Sequence, residues 1–161
     1  GYAANAFPYT PPVGLMNGLK TALEMLEAEG LENVFARHHR IAEGVRRAVD
    51  AWGLRLCAVS PEVYSNTVSA ICTPEGFNAT DIVTVAARDY DMAFGVGLGE
   101  VAGKLFRIGH LGSLTDAMML SGLGVAEMVM VDLGLDIKLG SGVAAAQAYY
   151  RHGAKAERVA A

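Results

Sequence analysis

Arg107 is the residue whose type and setting most directly predict a binding function. It lies in the run Phe-Arg-Ile-Gly-His-Leu-Gly, residues 106–112. The alternation of this run indicates a strand with Phe106 and Ile108 on one face and Arg107 on the other. A guanidinium is a planar fork that binds a carboxylate through two parallel hydrogen bonds. Glycines at 109 and 112 would allow close approach of a ligand. The alternative is a surface arginine paired with an acid.

Tyr9 and Thr10 form a second candidate site. They are adjacent hydroxyl residues within Phe-Pro-Tyr-Thr-Pro-Pro, residues 7–12. A residue that precedes proline is biased towards extended backbone, so this segment is expected to be stiff. Held in this way, two hydroxyl donors suit a phosphate group. The alternative is that Tyr9 packs against its own domain.

The glycine-rich run at residues 95–99 resembles a dinucleotide-binding site, because residues 97–102 fit the pattern G-x-G-x-x-A after a strand. That fingerprint requires a helix at this point, which directs its N-terminus at the pyrophosphate. The next strand begins too soon for a helix, so a glycine-rich hairpin that lines a site is favoured.

His38 and His39 are adjacent and face different sides of a helix, which predicts a buried His38. His110 follows Arg107 closely enough to lie near the same site, although a structural role fits equally.

Composition narrows the class of protein. The chain has 161 residues, 52% of them hydrophobic and 19% charged, with a net charge of −4. These values fit one folded domain and exclude a disordered chain, and the absence of a basic stripe disfavours nucleic-acid binding. No metal-binding spacing and no acid–base dyad is present. The apolar stretch at residues 117–135 is interrupted by charges and glycines, so a buried helix is expected.

Three further features bear on the state of the cysteines, the cellular location and the origin of the chain. Cys57 and Cys72 are far apart in sequence and are expected to be buried, reduced thiols within strands. The N-terminus does not resemble a signal peptide, so a cytoplasmic location is the expectation. The chain begins with Gly1 in a proline-rich segment, which suggests a piece of a longer protein.

Hydrophobic periodicity predicts the elements that position these residues. We expect helices over residues 13–29, 31–52, 78–89, 113–133 and 141–157, and strands over residues 54–59, 67–72, 92–96 and 104–108. The strands come in neighbouring pairs, which favours an α+β fold with a small antiparallel sheet covered by helices. The predicted organisation is an extended segment over residues 1–12, followed by one domain over residues 13–161.

Five segments in order resemble one family. They are residues 7–11, 29–38, 51–54, 102–112 and 139–145. Together they resemble the C-terminal part of class V pyridoxal-phosphate aminotransferases of the serine–glyoxylate (alanine–glyoxylate) type. The resemblance implies the C-terminal domain of a fold type I enzyme, a homodimer with active sites at the subunit interface, and pyridoxal 5′-phosphate as cofactor.

The resemblance also implies roles for single residues. Arg107 matches the arginine that binds the substrate carboxylate. Thr10, together with Tyr9, matches the hydroxyl residues that reach the cofactor phosphate of the neighbouring subunit, although alanine–glyoxylate enzymes place their tyrosine where this chain has Phe7. The cofactor-binding lysine of the family follows a Ser-x-Gln sequence. That sequence precedes none of the lysines of this chain, which are Lys20, Lys104, Lys138 and Lys155.

Because that lysine is missing, we expect no catalytic residue in this chain and an inactive fragment without the N-terminal cofactor domain. The implied reaction of the complete enzyme is transfer of an amino group from an L-amino acid, serine first, to glyoxylate, which becomes glycine. Aspartate or alanine as donor and a non-catalytic interaction module are the alternatives. A desulfurase would need a cysteine on a mobile loop, which the predicted placement of both cysteines in strands disfavours.

Overall fold

The computed structural model describes residues 9–160, and the chain divides after Ala36 into two compact units. Residues 1–8, which include Phe7 of the predicted proline-rich segment, lie outside the described residues. In the first unit, helix α1 (Val13–Glu29) ends at Gly30, whose φ is +83° and whose N–H donates to Leu26. The helix has no buried residue, and Leu15 and Leu19 of its predicted apolar stripe are 77% and 60% exposed.

Helix α2 (Leu31–Ala51) begins in the first unit and continues into the second. The second unit contains a four-stranded antiparallel sheet in the order β1-β2-β4-β3. Its strands are β1 (Arg55–Leu56), β2 (Val68–Cys72), β3 (Gly95–Val96) and β4 (Leu105–Gly109). The predicted α+β class, with a small antiparallel sheet and helices, is confirmed.

Two strands are shorter than the sequence predicts. Both β1 and β3 have two residues each and lie at the edges of the sheet, where a strand has one partner only. The chain bends at residues 57–60 and then forms a 3₁₀ turn, Pro61–Val63. Cys57 is therefore exposed and outside any strand, so the prediction of a buried Cys57 in a strand is wrong.

The remaining helices are α3 (Ala79–Tyr90), α4 (Asp116–Asp132) and α5 (Ser141–Ala160). The side chain of Asn78 caps α3 by accepting a hydrogen bond from the Thr80 N–H, as the sequence indicates. Helix α4 begins later than predicted. Its cap is Thr115, which accepts from the Met118 N–H, and not Ser113. Within residues 9–160, no helix is long and apolar enough to cross a membrane.

One face of the sheet contributes to the apolar core of the second unit. Ile71 in β2 and Phe106 and Ile108 in β4 are almost fully buried, whereas Ala70 and Arg107, which alternate with them, are only partly buried. The helices supply the rest of the core, chiefly Val45, Trp52, Ile82, Leu123, Val129, Met130 and Ala146. The sheet therefore presents Arg107 on the face opposite this core.

A buried carboxylate joins three helices. Glu127 in α4 is 1% exposed, and its oxygens accept hydrogen bonds from the indole N–H of Trp52 at 2.9 Å and from three backbone N–H groups at the start of α5. Those donors are Gly140 and Gly142 at 2.6 Å and Val143 at 3.1 Å. Unpaired N–H groups at a helix N-terminus favour a negative charge, so Glu127 fixes α5 against α4 and the end of α2.

A buried imidazole joins β2 to β4. His110 is 1% exposed, with Nδ1 3.0 Å from the Asn66 carbonyl and Nε2 3.0 Å from the Ser69 hydroxyl. A carbonyl can only accept, so Nδ1 carries the proton and Nε2 accepts from Ser69. Burial lowers the pKa of His110 to about 4, and the positive charge of Arg46 acts in the same direction. The imidazole is therefore neutral near neutral pH.

Glu127→Ala is expected to destabilise the fold strongly. Removing the carboxylate leaves buried N–H donors of Trp52 and α5 without an acceptor, at a cost of roughly 2–4 kcal/mol in the free energy of unfolding. Urea unfolding followed by the fluorescence of Trp52, the single tryptophan of the chain, measures the loss. Glu75→Ala is the control, because Glu75 is exposed. Equal stability of the two variants would contradict the assigned role of Glu127.

His110 is expected to make stability depend on pH. Its pKa is lower in the fold, about 4, than the ordinary 6.5, so the unfolded chain binds an extra proton between these values. The free energy of unfolding should therefore fall as the pH is lowered from 6.5 to about 4. Below pH 4, His110 should cause no further decrease, because it is protonated in both states. Urea titrations across this range should show a shallower fall for His110→Gln, whereas His39→Gln, at an exposed histidine, should retain the original slope.

Candidate functional site

The candidate site is built around Arg107 in the middle of β4. This strand pairs with β2 on one side and β3 on the other, so Ala70 and Gly95 are the neighbours of Arg107 in the sheet. The Nε–H of Arg107 donates to the carbonyl of Val96 at 3.0 Å. This bond lays the half-buried side chain across the edge strand and fixes the direction of the guanidinium.

Gly95 makes this arrangement possible. A Cβ at position 95 would lie 3.1 Å from Nε and 3.2 Å from Cβ of Arg107, which is tighter than ordinary packing. Sequence reasoning did not single out this contact; the glycines at 95, 97 and 99 were its signal. The predicted hairpin is present as the antiparallel pair of β3 and β4. A 3₁₀ turn, Gly99–Val101, connects them where a dinucleotide site would require an α-helix.

The terminal nitrogens of Arg107 have no hydrogen-bond or ion-pair partner among the side chains described, those of residues 9–152, or the backbone of residues 9–160. Other arginines of this unit differ, since Arg40 pairs with Asp116 at 2.6 Å and Arg88 pairs with Asp89. The alternative interpretation of Arg107, a surface arginine neutralised by an acid, therefore lacks its acid within the described residues. A guanidinium bonded through Nε alone retains the fork that matches a carboxylate.

The residues after β4 are held on both sides. Three residues after Arg107, the His110 side chain is hydrogen-bonded to Ser69 in β2 and to Asn66 in the loop before it. The N–H of Gly112 donates to Nε2 of His38 at 3.0 Å, and its carbonyl accepts from Arg37 at 2.5 Å. His38 is 8% exposed and His39 is exposed, which confirms the prediction that they face different sides of α2. The end of β4 therefore has a defined course.

Tyr9 and Thr10 belong to the first unit, whereas Arg107 belongs to the second. The Tyr9 side chain is 87% exposed, and Thr10 is exposed as well. Their hydroxyls are thus accessible to a phosphate, and their proposed role at the cofactor stays a prediction.

The lysines whose side chains the structure describes lie at the surface. Lys20 pairs with Glu24 at 3.6 Å on the surface of α1, and Lys104 and Lys138 are exposed. The side chain of Lys155 lies outside the described residues. The described side chains, those of residues 9–152, include no group of three or more histidine, cysteine or acidic side chains that could hold a metal ion. The described part of the chain therefore presents the guanidinium of Arg107 and the exposed hydroxyls of Tyr9 and Thr10, whose predicted roles at a carboxylate and a phosphate stay predictions.

Comparisons with known proteins agree with these features. No family model matches the chain. It is 74% identical over 151 residues to the L-aspartate–glyoxylate aminotransferase of Paracoccus denitrificans, which covers 94% of this chain. It is 56% identical over 144 residues to the serine–glyoxylate aminotransferase of Hyphomicrobium methylovorum, covering 89%. The chain spans 38% and 36% of the lengths of these two relatives.

The fold is similar to that of a solved pyridoxamine–pyruvate aminotransferase from Mesorhizobium loti. The TM-score is 0.86 at 36% sequence identity, and the likeness covers 92% of this chain and 38% of the solved one. Sequence and fold therefore agree with the resemblance that the ordered motifs indicated. The chain belongs to the pyridoxal-phosphate-dependent aminotransferases of class V, of which it corresponds to the C-terminal part.

Proposed function

We propose that this chain supplies the carboxylate-binding group of an aminotransferase that transfers an amino group from an L-amino acid to glyoxylate, which becomes glycine. The observation that carries the proposal is the 74% identity over 94% of the chain to an L-aspartate–glyoxylate aminotransferase. The geometry of Arg107 supports it, because the amino donor and glyoxylate share a carboxylate and little else.

The amino donor is proposed to be L-aspartate. The motifs alone favoured serine, and the 56% identity to a serine–glyoxylate aminotransferase supports serine as the second candidate. The higher identity to the aspartate enzyme favours aspartate. Aspartate differs from serine in carrying a second carboxylate, so an additional cationic group for that carboxylate is expected in the complete active site.

Arg107 is proposed to act by orientation. Two hydrogen bonds from its terminal nitrogens to the carboxylate would fix the substrate in one plane, while the bond from Nε to Val96 keeps the guanidinium from turning. Holding a substrate in the reactive geometry lowers the barrier without any proton transfer by the arginine itself. Arg107 is therefore a binding residue that serves both half-reactions, with the donor first and glyoxylate second.

Pyridoxal phosphate, when bound, supplies the electron sink that makes the Cα–H bond of the amino acid acidic. Within this chain, Thr10 and Tyr9 are proposed to donate their hydroxyls to the cofactor phosphate of a neighbouring subunit in a homodimer. The lysine that attaches the cofactor is proposed to lie in the N-terminal cofactor domain of the complete enzyme. A cytoplasmic location also stays a prediction.

The donor is tested with the full-length enzyme, loaded with pyridoxal phosphate and supplied with glyoxylate. Glycine formation should be fastest with L-aspartate, slower with L-serine and slowest with L-alanine, each compared by kcat/KM. A preference for serine would contradict the proposed donor, aspartate, but would still support the proposed transfer of an amino group to glyoxylate. Absence of glycine with all three donors would contradict the proposed function and leave the non-catalytic interaction module as the better interpretation.

Arg107→Ala is expected to lower kcat/KM for both substrates. Loss of a bidentate charged contact costs about 2–5 kcal/mol when the site is desolvated, which corresponds to roughly 30-fold to 5,000-fold in kcat/KM. Arg107→Lys should lose less, because the charge remains while the planar fork is gone. Steady-state kinetics of glycine formation measure both effects.

The matched control for these variants is Arg88→Lys. Arg88 is an exposed arginine that pairs with its neighbour Asp89, so its replacement should leave the kinetics unchanged. If Arg107→Ala binds pyridoxal phosphate and still turns over both substrates at the original rate, the carboxylate-binding role of Arg107 is wrong.

A further inference from the structure

The two cysteines of the chain are neighbours across two strands. In the pairing of β1 with β2, Leu56 is opposite Ile71. Cys57 continues this register by one residue, since its N–H donates to the carbonyl of Ala70 at 2.8 Å. Arg55 is opposite Cys72, and Cys57, directly after β1, keeps a hydrogen bond to β2 at Ala70. This bond places Cys57 diagonally across from Cys72, on the side opposite the buried Ile71.

The Cys57 thiol is also near enough to affect the protonation of Cys72. The pKa of Cys72 is raised, mainly because the thiol is partly buried; the nearby guanidinium of Arg55 opposes this shift, and the Cys57 thiol adds to it through charge and a hydrogen bond. Diagonal neighbours in an antiparallel pair lie about 7–8 Å apart, whereas a disulfide needs Cα atoms within about 4.4–6.8 Å. A small movement of one strand is therefore enough to join the sulfur atoms.

The edge strand provides that movement. Strand β1 has two residues and a partner on one side only, and the chain bends over residues 57–60 directly after it. Cys57 lies at this junction and is exposed, whereas Cys72 is half-buried at the end of β2. The exposed thiol is therefore on the part of the sheet that shifts most easily, and its partner is on a strand that is paired on both sides.

We propose that Cys57 and Cys72 form an oxidation site, at which a hydroperoxide converts the two thiols into an intrachain disulfide. The exposed Cys57 thiolate attacks the peroxide, the O–O bond breaks, and one oxygen leaves as water while the other stays on sulfur as a sulfenic acid. The Cys72 sulfur then attacks the Cys57 sulfur, the S–O bond breaks, and a second water leaves. With hydrogen peroxide, the two thiols lose two protons and two electrons, and the peroxide is reduced to two waters.

The assignment of the two roles follows from exposure and protonation. Attack on peroxide requires an accessible thiolate, and Cys57 is the exposed member of the pair. Burial raises the pKa of Cys72, which keeps its thiol protonated in the resting state and disfavours it as the first nucleophile. A disulfide in such an exposed position is readily reduced by small thiols, so the site is expected to be reversible.

The test uses the full-length protein treated with hydrogen peroxide, alkylated, and digested with trypsin and a glutamate-specific protease. Trypsin cleaves after Arg55 and Arg88, and the second protease cleaves after Glu62, so the two cysteines fall in separate peptides, residues 56–62 and 63–75. The expected result is a disulfide-linked pair of these peptides, lighter by two hydrogens than their sum, which dithiothreitol separates.

Single variants identify the order of events. Cys72→Ser should accumulate a sulfenic acid at Cys57, trapped by dimedone, whereas Cys57→Ser should leave Cys72 unoxidised. The double variant Cys57→Ser with Ala58→Cys is the matched control, because it moves the thiol by one residue to an exposed position in the bend, beyond the hydrogen bond of residue 57 to Ala70. It should form no disulfide with Cys72.

Two outcomes would overturn the proposal. In one, both cysteines remain alkylatable at peroxide concentrations that oxidise free glutathione. In the other, the Ala58→Cys control forms its disulfide as fast as the original pair, which would mean that chain flexibility and not the strand register brings the sulfur atoms together. Neither outcome depends on whether the enzyme transfers amino groups.

Discussion

The fold of the second unit depends on the carboxylate of Glu127, which is buried away from water. A carboxylate is tolerated in a protein interior only when hydrogen-bond donors replace its hydration. Glu127 meets this condition with an indole N–H and three backbone N–H groups, all within 3.1 Å of its oxygens. The donors in turn need the carboxylate, because the first N–H groups of a helix have no partner inside the helix. The requirement is mutual, which makes α4, the start of α5 and Trp52 one cooperative cluster.

This cluster also explains why position 142 is a glycine. A Cβ at Gly142 would lie 2.4 Å from Nε1 of Trp52, so the indole can reach Glu127 only because position 142 has no side chain. A similar close approach occurs at Gly44, where a Cβ would lie 2.1 Å from the hydroxyl oxygen and 2.2 Å from Cζ of Tyr150. Glycines inside helices usually lower stability, and here they allow large side chains of another helix to pack against the backbone.

Much of the fold follows from periodicity, and the exceptions have physical causes. Helices α1 and α2 begin and end close to where the apolar spacing and the glycines predict. The edge strands β1 and β3 are shorter than predicted because strand length depends on hydrogen-bonding partners as well as on the side chains of the strand itself. Thr115 replaces Ser113 as the cap of α4, since both residue types can cap and only the path of the chain decides between them.

The candidate site was predictable in part. Arg107 was singled out from its residue type and the glycines that follow it, and the same motif carried the resemblance to the family. The support for Arg107 was not predictable, because Gly95, His38 and Ser69 are distant in sequence and are brought near it by sheet pairing and by α2. Contacts of this kind leave no local pattern, apart from the excess of glycine before β4.

The position of Arg107 determines how strongly it would bind a carboxylate. Its neighbours on the same face of the sheet, Ala70 and Gly95, are small, so they leave the guanidinium open to whatever covers this face. In water, the attraction between two unit charges at 4 Å is about 1 kcal/mol, and it rises to about 4 kcal/mol at the effective dielectric constant near a protein surface. Exclusion of water from around Arg107 would therefore increase its affinity for a carboxylate. For this reason Arg107 should bind a carboxylate weakly while water reaches its terminal nitrogens, even though its Nε–H is already bonded to Val96.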